Sequence, residues 1–370
     1  MSGRSLEVVL FADHLGTVMT GGAERVAAEL LSHWPQQDRL HVVTATSDES
    51  FGSPRHEVTR LRQRRFGRLI GAEASIAPGA LRAARRAVGA STDVVIVNGL
   101  HFPGSIAGVV AARRSGTPVV LVSHLGGVDD LPRRTRLPAM AYERTVGRWM
   151  VRSADALVAV SADAAQHLVE LGADAERVVT VENAVDSDHF VRGPRPTDRL
   201  EVAVIGRLAG NKRPLETASA LRRVSVPMRV RFVGDGALES RLRDLVDGDP
   251  RFEVVPPMAD VAPVLATSHV AVRWSTSEGR SLSVLEAMAA ECAVVVSDIP
   301  ANRAVVDHEV DGLVVDVDDA TAVTAAVDRL AEDPSLRERL GAVARERVAG
   351  RGWADVAAQV RKVAVEAVDG

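Results

Sequence analysis

A single cysteine, Cys292, is present in the 370 residues, with no CxxC pair and no clustered His/Cys pattern. That excludes an internal disulfide and a zinc-type metal centre, and it fits a reducing, cytoplasmic setting. Aromatic residues make up only 3% of the chain, too few for the stacking platforms that hold single-stranded nucleic acid. The formal net charge of -4 supplies no overall basic field either, so nucleic acid is not an expected partner. No apolar run is long enough to span a bilayer. The opening MSGRSLEVVLFADH breaks at Asp13, too soon for a secretory signal. Lysine is nearly absent, found only at Lys212 and Lys362; a lysine inside a loop of this arginine-rich chain therefore stands out.

Apolar residues reach 46%, and the length exceeds what one compact core accommodates, so two lobes are expected. Short β-branched runs alternate with helical patterns, the signature of parallel βα units. In the first lobe the strands fall at residues 7–11, 40–45, 93–98, 118–124, 156–161 and 178–183, with helices such as 23–31 and 140–153 between them. The rhythm stops at AVDSDHFVRGPRPTDR, residues 184–199, which reads as a linker. It restarts with strands at 201–206, 228–234, 251–257, 269–275, 293–298 and 312–317, and turns helical to the end after Asp319. The fold class is α/β, with two Rossmann-like doubly wound parallel sheets. Ligands in such sheets sit beyond the carboxyl ends of the strands, which directs attention to the loops after Phe11, His124, Gly206, Gly234 and Ser275. The first lobe carries no convincing GxGxxG, against a nicotinamide enzyme.

The segment SEGRSLSVLEAMAA, residues 277–290, lies between two strong strands. Glu278 and Glu286 on one helix would stand about 12 Å apart, too far to flank one bond as paired glycosidase carboxylates do. Two readings stand side by side. Gly279, the small serines and a fresh helix N-terminus suit a phosphate; alternatively Ser283 caps the helix and Glu286 closes a capping box. In GRLAGNKRP, residues 206–214, Arg207 can fork to phosphate oxygens and Lys212 adds a compact mobile charge. TGGAER places Gly21 and Gly22 before a helix, which suits close backbone approach to a phosphate or sugar as well as a plain helix start. His124 ends a buried strand, with Gly126 and Gly127 beside it, and taken alone it reads as an ordinary loop histidine. The DxD triplets at Asp186, Asp247 and Asp316 read as turns rather than metal ligands. The basic run from Arg60 to Arg68, and the smaller PRRTR at 132–136, suit either a solvated face or contact with an anionic acceptor or membrane surface.

Taken in order, GGAER, SADALVAVSADAAQHL, VENAVDSDHF, GRLAGNKRP, FVGDGALESRL, SEGRSLSVLEAMAA and DGLVV closely resemble the blocks of the retaining family-four glycosyltransferases of the GT-B fold. The likeness covers nearly the whole chain. It implies an N-terminal acceptor-side domain over 1–190, a linker over 184–199 and a donor domain over 200–351 facing it across a cleft. RGWADVAAQV then resembles the terminal helix, 352–370, that crosses back to the first domain. Position by position, it makes Arg207 and Lys212 ligands of the donor diphosphate. Glu286 would bind the ribose, Glu278 the transferred sugar, and Ser281, Leu282 and Ser283 the phosphate and hexose. Pro257 and Met258 would border the base, while His124 and Gly22 would complete the site. Departures occur at Arg280 and Ser281, where the family usually has an aromatic and a glycine, and at Ala184, Glu291 and Ala304.

The implied reaction moves a hexose from a nucleotide-diphosphate-sugar donor to an acceptor hydroxyl, with the anomeric configuration retained. Neither cofactor nor metal is expected, and catalysis would fall to His124, Glu278, Arg207 and Lys212. The acceptor is left open among small molecules, lipids and glycans. Two rival readings share the fold: a non-catalytic scaffold subunit and a nucleotide-sugar epimerase.

Overall fold

The computed structural model describes residues 4–13, 15, 21–45, 55–62, 64–65, 75–124, 127 and 133–370. The chain divides into two compact units, Met1–Asn183 with Trp353–Gly370, and Ala184–Gly352. The alternation legible in the sequence is present in both.

In the first unit the elements run β1 (Glu7–Phe11), α1 (Gly22–His33), β2 (Arg39–Thr44), β3 (Glu57–Arg60), β4 (Arg64–Arg65), β5 (Ser75–Ile76), α2 (Ala80–Ala87), β6 (Val94–Asn98), α3 (Pro103–Ser115) and β7 (Val119–Ser123). They continue through α4 (Arg133–Tyr142), a π-helical turn (Glu143–Gly147), α5 (Arg148–Ser153), β8 (Ala156–Ala159), α6 (Ala162–Glu170) and β9 (Val178–Thr180). Seven strands form a parallel sheet in the order β3-β2-β1-β6-β7-β8-β9, while β4 and β5 pair as a small antiparallel ribbon. VVIVN of β6 and VVLVS of β7 are buried at every position, as central strands covered by helices on both faces must be. The sequence reading missed β3, whose EVTR is half-exposed at the sheet edge, because a polar edge strand carries no apolar run to find. The helix expected over 140–153 is interrupted by the π turn, in which Glu143 is buried with His167 at 3.2 Å and His101 at 3.3 Å.

In the second unit the order is β10 (Leu200–Ile205), α7 (Pro214–Leu221), β11 (Met228–Val233), α8 (Glu239–Val246), β12 (Phe252–Val255), α9 (Ala262–Ala266) and β13 (Val270–Arg273). It ends with α10 (Leu282–Ala289), β14 (Ala293–Ser297), α11 (Pro300–Arg303), β15 (Gly312–Val315), α12 (Ala320–Glu332) and α13 (Pro334–Val348). Six parallel strands are arranged β12-β11-β10-β13-β14-β15 around a core with Trp274, Phe232 and Leu242 at its heart. Residues 184–199 have no helix or strand, yet they are pinned to this unit. Phe190 is buried, Arg345 donates to the Ser187 and Phe190 carbonyls, and Arg195 donates to those of Ala290 and Glu291. Glu291, one of the departures from the family pattern, adopts φ 57° and sets its carboxylate 3.6 Å from Arg192 and 3.8 Å from Arg345.

The last helix, α14 (Trp353–Asp369), belongs to the first unit, where Trp353, Val356, Ala357, Val360, Val363 and Ala364 are buried. Arg361 clamps the buried Asp38 bidentately at 2.7 and 2.9 Å, and Asp38 also accepts from the Leu6 N–H and Trp34 Nε1. Removing the arginine would leave a buried carboxylate short of its counter-charge. Arg361→Met is therefore expected to destabilise the first unit by about 3 kcal/mol, read from its denaturant midpoint.

Candidate active site

All carboxyl ends of a parallel sheet lie along one edge, so in the second unit the loops after β10, β11 and β13 meet there. Glycine permits the crowding. Gly206 has φ 139°, and the Arg273 guanidinium fills the space a Cβ would need; Gly234 and Gly236, at φ 144° and 153°, press against the carbonyls of Gly206 and Leu208. A side chain at any of these positions would collide with backbone or with Arg273, which accounts for the FVGDG spacing. The loop after β10 closes as a short 3-10 turn, Gly210–Lys212. It is tied across to the loop after β13 by Thr276 N–H donating to the Asn211 carbonyl at 2.9 Å. Arg213 stacks on Trp274 at 4.0 Å, fixing the start of α7 against the end of β13.

Lys212 and Glu278, assigned separate contacts in the sequence, are brought together. Lys212 Nζ donates to Glu278 Oε2 at 2.7 Å and to the Ser277 carbonyl at 3.1 Å. Glu278 Oε1 accepts from Arg273 Nε at 2.6 Å and from Ser275 Oγ at 2.8 Å, while Arg273 also donates to the Ile205 carbonyl at 2.9 Å. Burial pushes the Lys212 ammonium down to about 8, with Glu278 opposing and Arg273 adding to the fall. Burial alone would raise the Glu278 carboxyl, but Arg273 and Lys212 outweigh it and hold it at about 2. Arg207 is exposed nearby and, among the described residues, has no ion-pair partner. Lys212 and Arg273 thus hold one carboxylate while Arg207 lies near Lys212, and the surplus positive charge at a strand-end loop suits an oxyanion.

The capping-box reading of Ser283 and Glu286 is corrected. The helix α10 starts two residues earlier, with Ser281 at the N-cap, and Glu286 sits in its second turn only 3% exposed. Ser283 lies inside the first turn, so its side chain cannot cap, and a Glu at this depth cannot reach back to the helix entrance. Ser281, Leu282 and Ser283 form the helix start, Ser281 Oγ lying 3.2 Å from Ser283 Oγ. Met258 is half-buried in the loop after β12.

In the first unit Gly22 opens α1, and a Cβ there would meet nothing within 4 Å. The preceding Gly21 N–H is capped by Glu24 at 2.7 Å. His124 follows β7, its Nε2 2.8 Å from Asn98 Oδ1. Two DxD triplets are turns: Asp186 Oδ1 accepts from the Asp188 and His189 N–H groups, and Asp316 Oδ1 from that of Asp318. In the third, Asp249 is held by Arg251. Within the basic run from Arg60 to Arg68, Arg60 ends β3, Arg62 is exposed, and Arg68 with the side chains of Arg64 and Arg65 lies outside the described residues. Arg273, Ser275 and Asn98 were not singled out in the sequence. The only signal for Arg273 was a charged residue closing an otherwise apolar strand.

Residues 199–333 match the family model described as "Glycosyl transferases group 1", and residues 20–189 that described as "Glycosyltransferase Family 4". The D-inositol 3-phosphate glycosyltransferase of Frankia alni is 30% identical over 312 residues, covering 72% of this chain and 76% of that protein. Its counterpart in Thermobifida fusca is 28% identical over 304 residues, covering 74% and 70%. Among solved structures, Anabaena HepE in complex with UDP-glucose superposes with a TM-score of 0.76 at 18% identity, covering 97% of this chain and 99% of that one. With two parallel Rossmann-like sheets of the GT-B type, this chain belongs to glycosyltransferase family 4, group 1, and is a glycosyltransferase.

Proposed function

We propose that this glycosyltransferase moves a hexose from a nucleoside-diphosphate-hexose to an acceptor hydroxyl with retention of configuration, and that it does so without a metal ion. The observation carrying this reading is the buried Lys212–Glu278–Arg273 cluster beside Arg207. The donor's diphosphate would draw Lys212 away from Glu278, so that Arg207, Lys212 and the N–H groups opening α10 neutralise the charge growing on the leaving group. Glu278 Oε2, released by Lys212, would then accept from a hydroxyl of the transferred sugar, while Arg273 keeps the carboxylate in place and ionised. The phosphate oxygen on the departing side would take the acceptor proton. Glu286 is proposed to bind the ribose hydroxyls, and Met258 to border the base. A UDP donor is favoured by the UDP-glucose complex of Anabaena HepE. Calorimetric titration with UDP, followed by NMR of the product anomer, tests the reading; a product of inverted configuration would end it. Turnover should survive a chelator, and rescue of a chelated enzyme by magnesium or manganese would remove the metal-free part. Glu286→Gln should weaken UDP binding about ten-fold, because hydrogen bonds to a charged acceptor contribute roughly 1.5–3 kcal/mol.

Peripheral contact with an anionic membrane is proposed as well, and the α4–α5 segment supports it better than the run from Arg60 to Arg68. Leu137, Ala141, Thr145 and Trp149 recur every four residues and are all exposed, Leu137 by 73% and Trp149 by 40%. Arg144, Arg148 and Arg152 form a neighbouring exposed stripe at the same spacing. The one acid of the segment, Glu143, is buried against His101 and His167. Arginines flanking an exposed tryptophan and leucine suit an anionic headgroup layer. Sedimentation with phosphatidylglycerol vesicles should fall on replacing Arg144, Arg148 and Arg152 by serine, and fall with added salt. Binding indifferent to both would rule this surface out.

A further inference from the structure

Asn98 closes β6 and is only 2% exposed, so both ends of its amide must be satisfied within the protein. Its Nδ2 donates to the Ala23 carbonyl, in the first turn of α1, at 2.9 Å. A carbonyl can only accept, so this bond fixes which end of the amide is nitrogen. Oδ1 consequently faces the other way, 2.8 Å from His124 Nε2. An amide oxygen cannot donate, and the ring nitrogen opposite it must carry hydrogen. Burial drives the His124 imidazolium down to about 4, leaving the ring neutral with one proton at physiological pH. With that proton on Nε2, Nδ1 holds the lone pair. The strand pairing makes the arrangement rigid: β6 and β7 lie side by side with Asn98 opposite Val122, two residues before His124.

We propose that Asn98 is a positioning residue which holds His124 as its Nε2–H tautomer, so that Nδ1 accepts a hydrogen bond from a substrate hydroxyl during sugar transfer. This rests on the reading of His124 as a residue that touches substrate. The opposite tautomer would present a donor where an acceptor is needed, and a ring released from Asn98 would sample both. A structural role alone would have Asn98 do no more than tie α1 to the end of β6.

Nitrogen-15 NMR of the full chain, with the His124 signals identified by their loss in His124→Gln, reads the tautomer directly. The wild type should show Nε2–H, and Asn98→Leu should show a mixture. In UDP release from UDP-glucose, Asn98→Leu should lower kcat about ten-fold or more, leave UDP affinity unchanged, and have no further effect in a His124→Ala background. If Asn98→Leu folds poorly, Asn98→Asp serves instead. It keeps an acceptor for Nε2–H while losing the donor to Ala23, so the Nε2–H tautomer should persist and the His124 titration should move up. An Nδ1–H tautomer in the wild type overturns the proposal, as do losses that simply add in the double variant. Full turnover in His124→Ala together with the Nε2–H tautomer is a different failure: it removes the substrate contact of His124, and with it the purpose of positioning.

Discussion

Replacing Lys212 by methionine should weaken UDP binding about thirty-fold or more, corresponding to about 2 kcal/mol for a charge partner lost from a largely buried site. The Lys212 side chain is 12% exposed and its ammonium is already engaged by Glu278, so a diphosphate succeeds by offering more negative charge than one carboxylate does. Proton linkage gives the prediction a second arm. Because burial brings Lys212 down to about 8, the free protein begins to lose this charge as pH rises through that value. A bound diphosphate favours the protonated form and raises the pKa again. UDP binding should therefore weaken above about pH 8 and be accompanied there by proton uptake. Titration in buffers of different ionisation enthalpy measures that uptake, which should be absent from Lys212→Met. Affinity and proton uptake unchanged in the variant would remove Lys212 from the diphosphate site.

Glu278→Gln should do the reverse, cutting turnover by about a hundred-fold or more while leaving UDP affinity at or above that of the wild type. Glutamine keeps the volume and an oxygen for Arg273 and Ser275, but it removes the negative charge that competes with diphosphate for Lys212. Free UDP lacks the transferred sugar, so an interaction with that sugar is invisible in UDP binding and appears in kcat. Alanine would be a poorer probe, because it leaves Lys212 and Arg273 as neighbouring buried cations and confounds activity with stability. Loss of UDP affinity parallel to the loss of turnover would show that Glu278 merely holds the loops after β10 and β13 together.

The sequence by itself determined the architecture. Runs such as VVIVN and VVLVS have no polar face, so they fit only the middle of a covered parallel sheet, and the alternation with helices followed. It also determined which loops to inspect, because strand direction fixes the edge at which a parallel sheet meets its ligand, and a lysine in an arginine-rich chain marked one of them. Tertiary structure alone decided how those loops combine. Arg273 and Glu278 are near in sequence, but Lys212 reaches them only because β10 and β13 are adjacent in the sheet. The pairing of Asn98 with His124 likewise needs β6 beside β7, and the Ala23 carbonyl at the start of α1 to orient the amide. The start of α10 was misjudged for a related reason. Ser281 and Ser283 are equally good caps locally, and the choice fell to packing, which buries Glu286 and so phases the helix two residues earlier than a capping box requires. Local preference is set by neighbours along the chain, whereas pKa values, tautomers and ion pairs depend on groups that only the fold brings within a few ångströms.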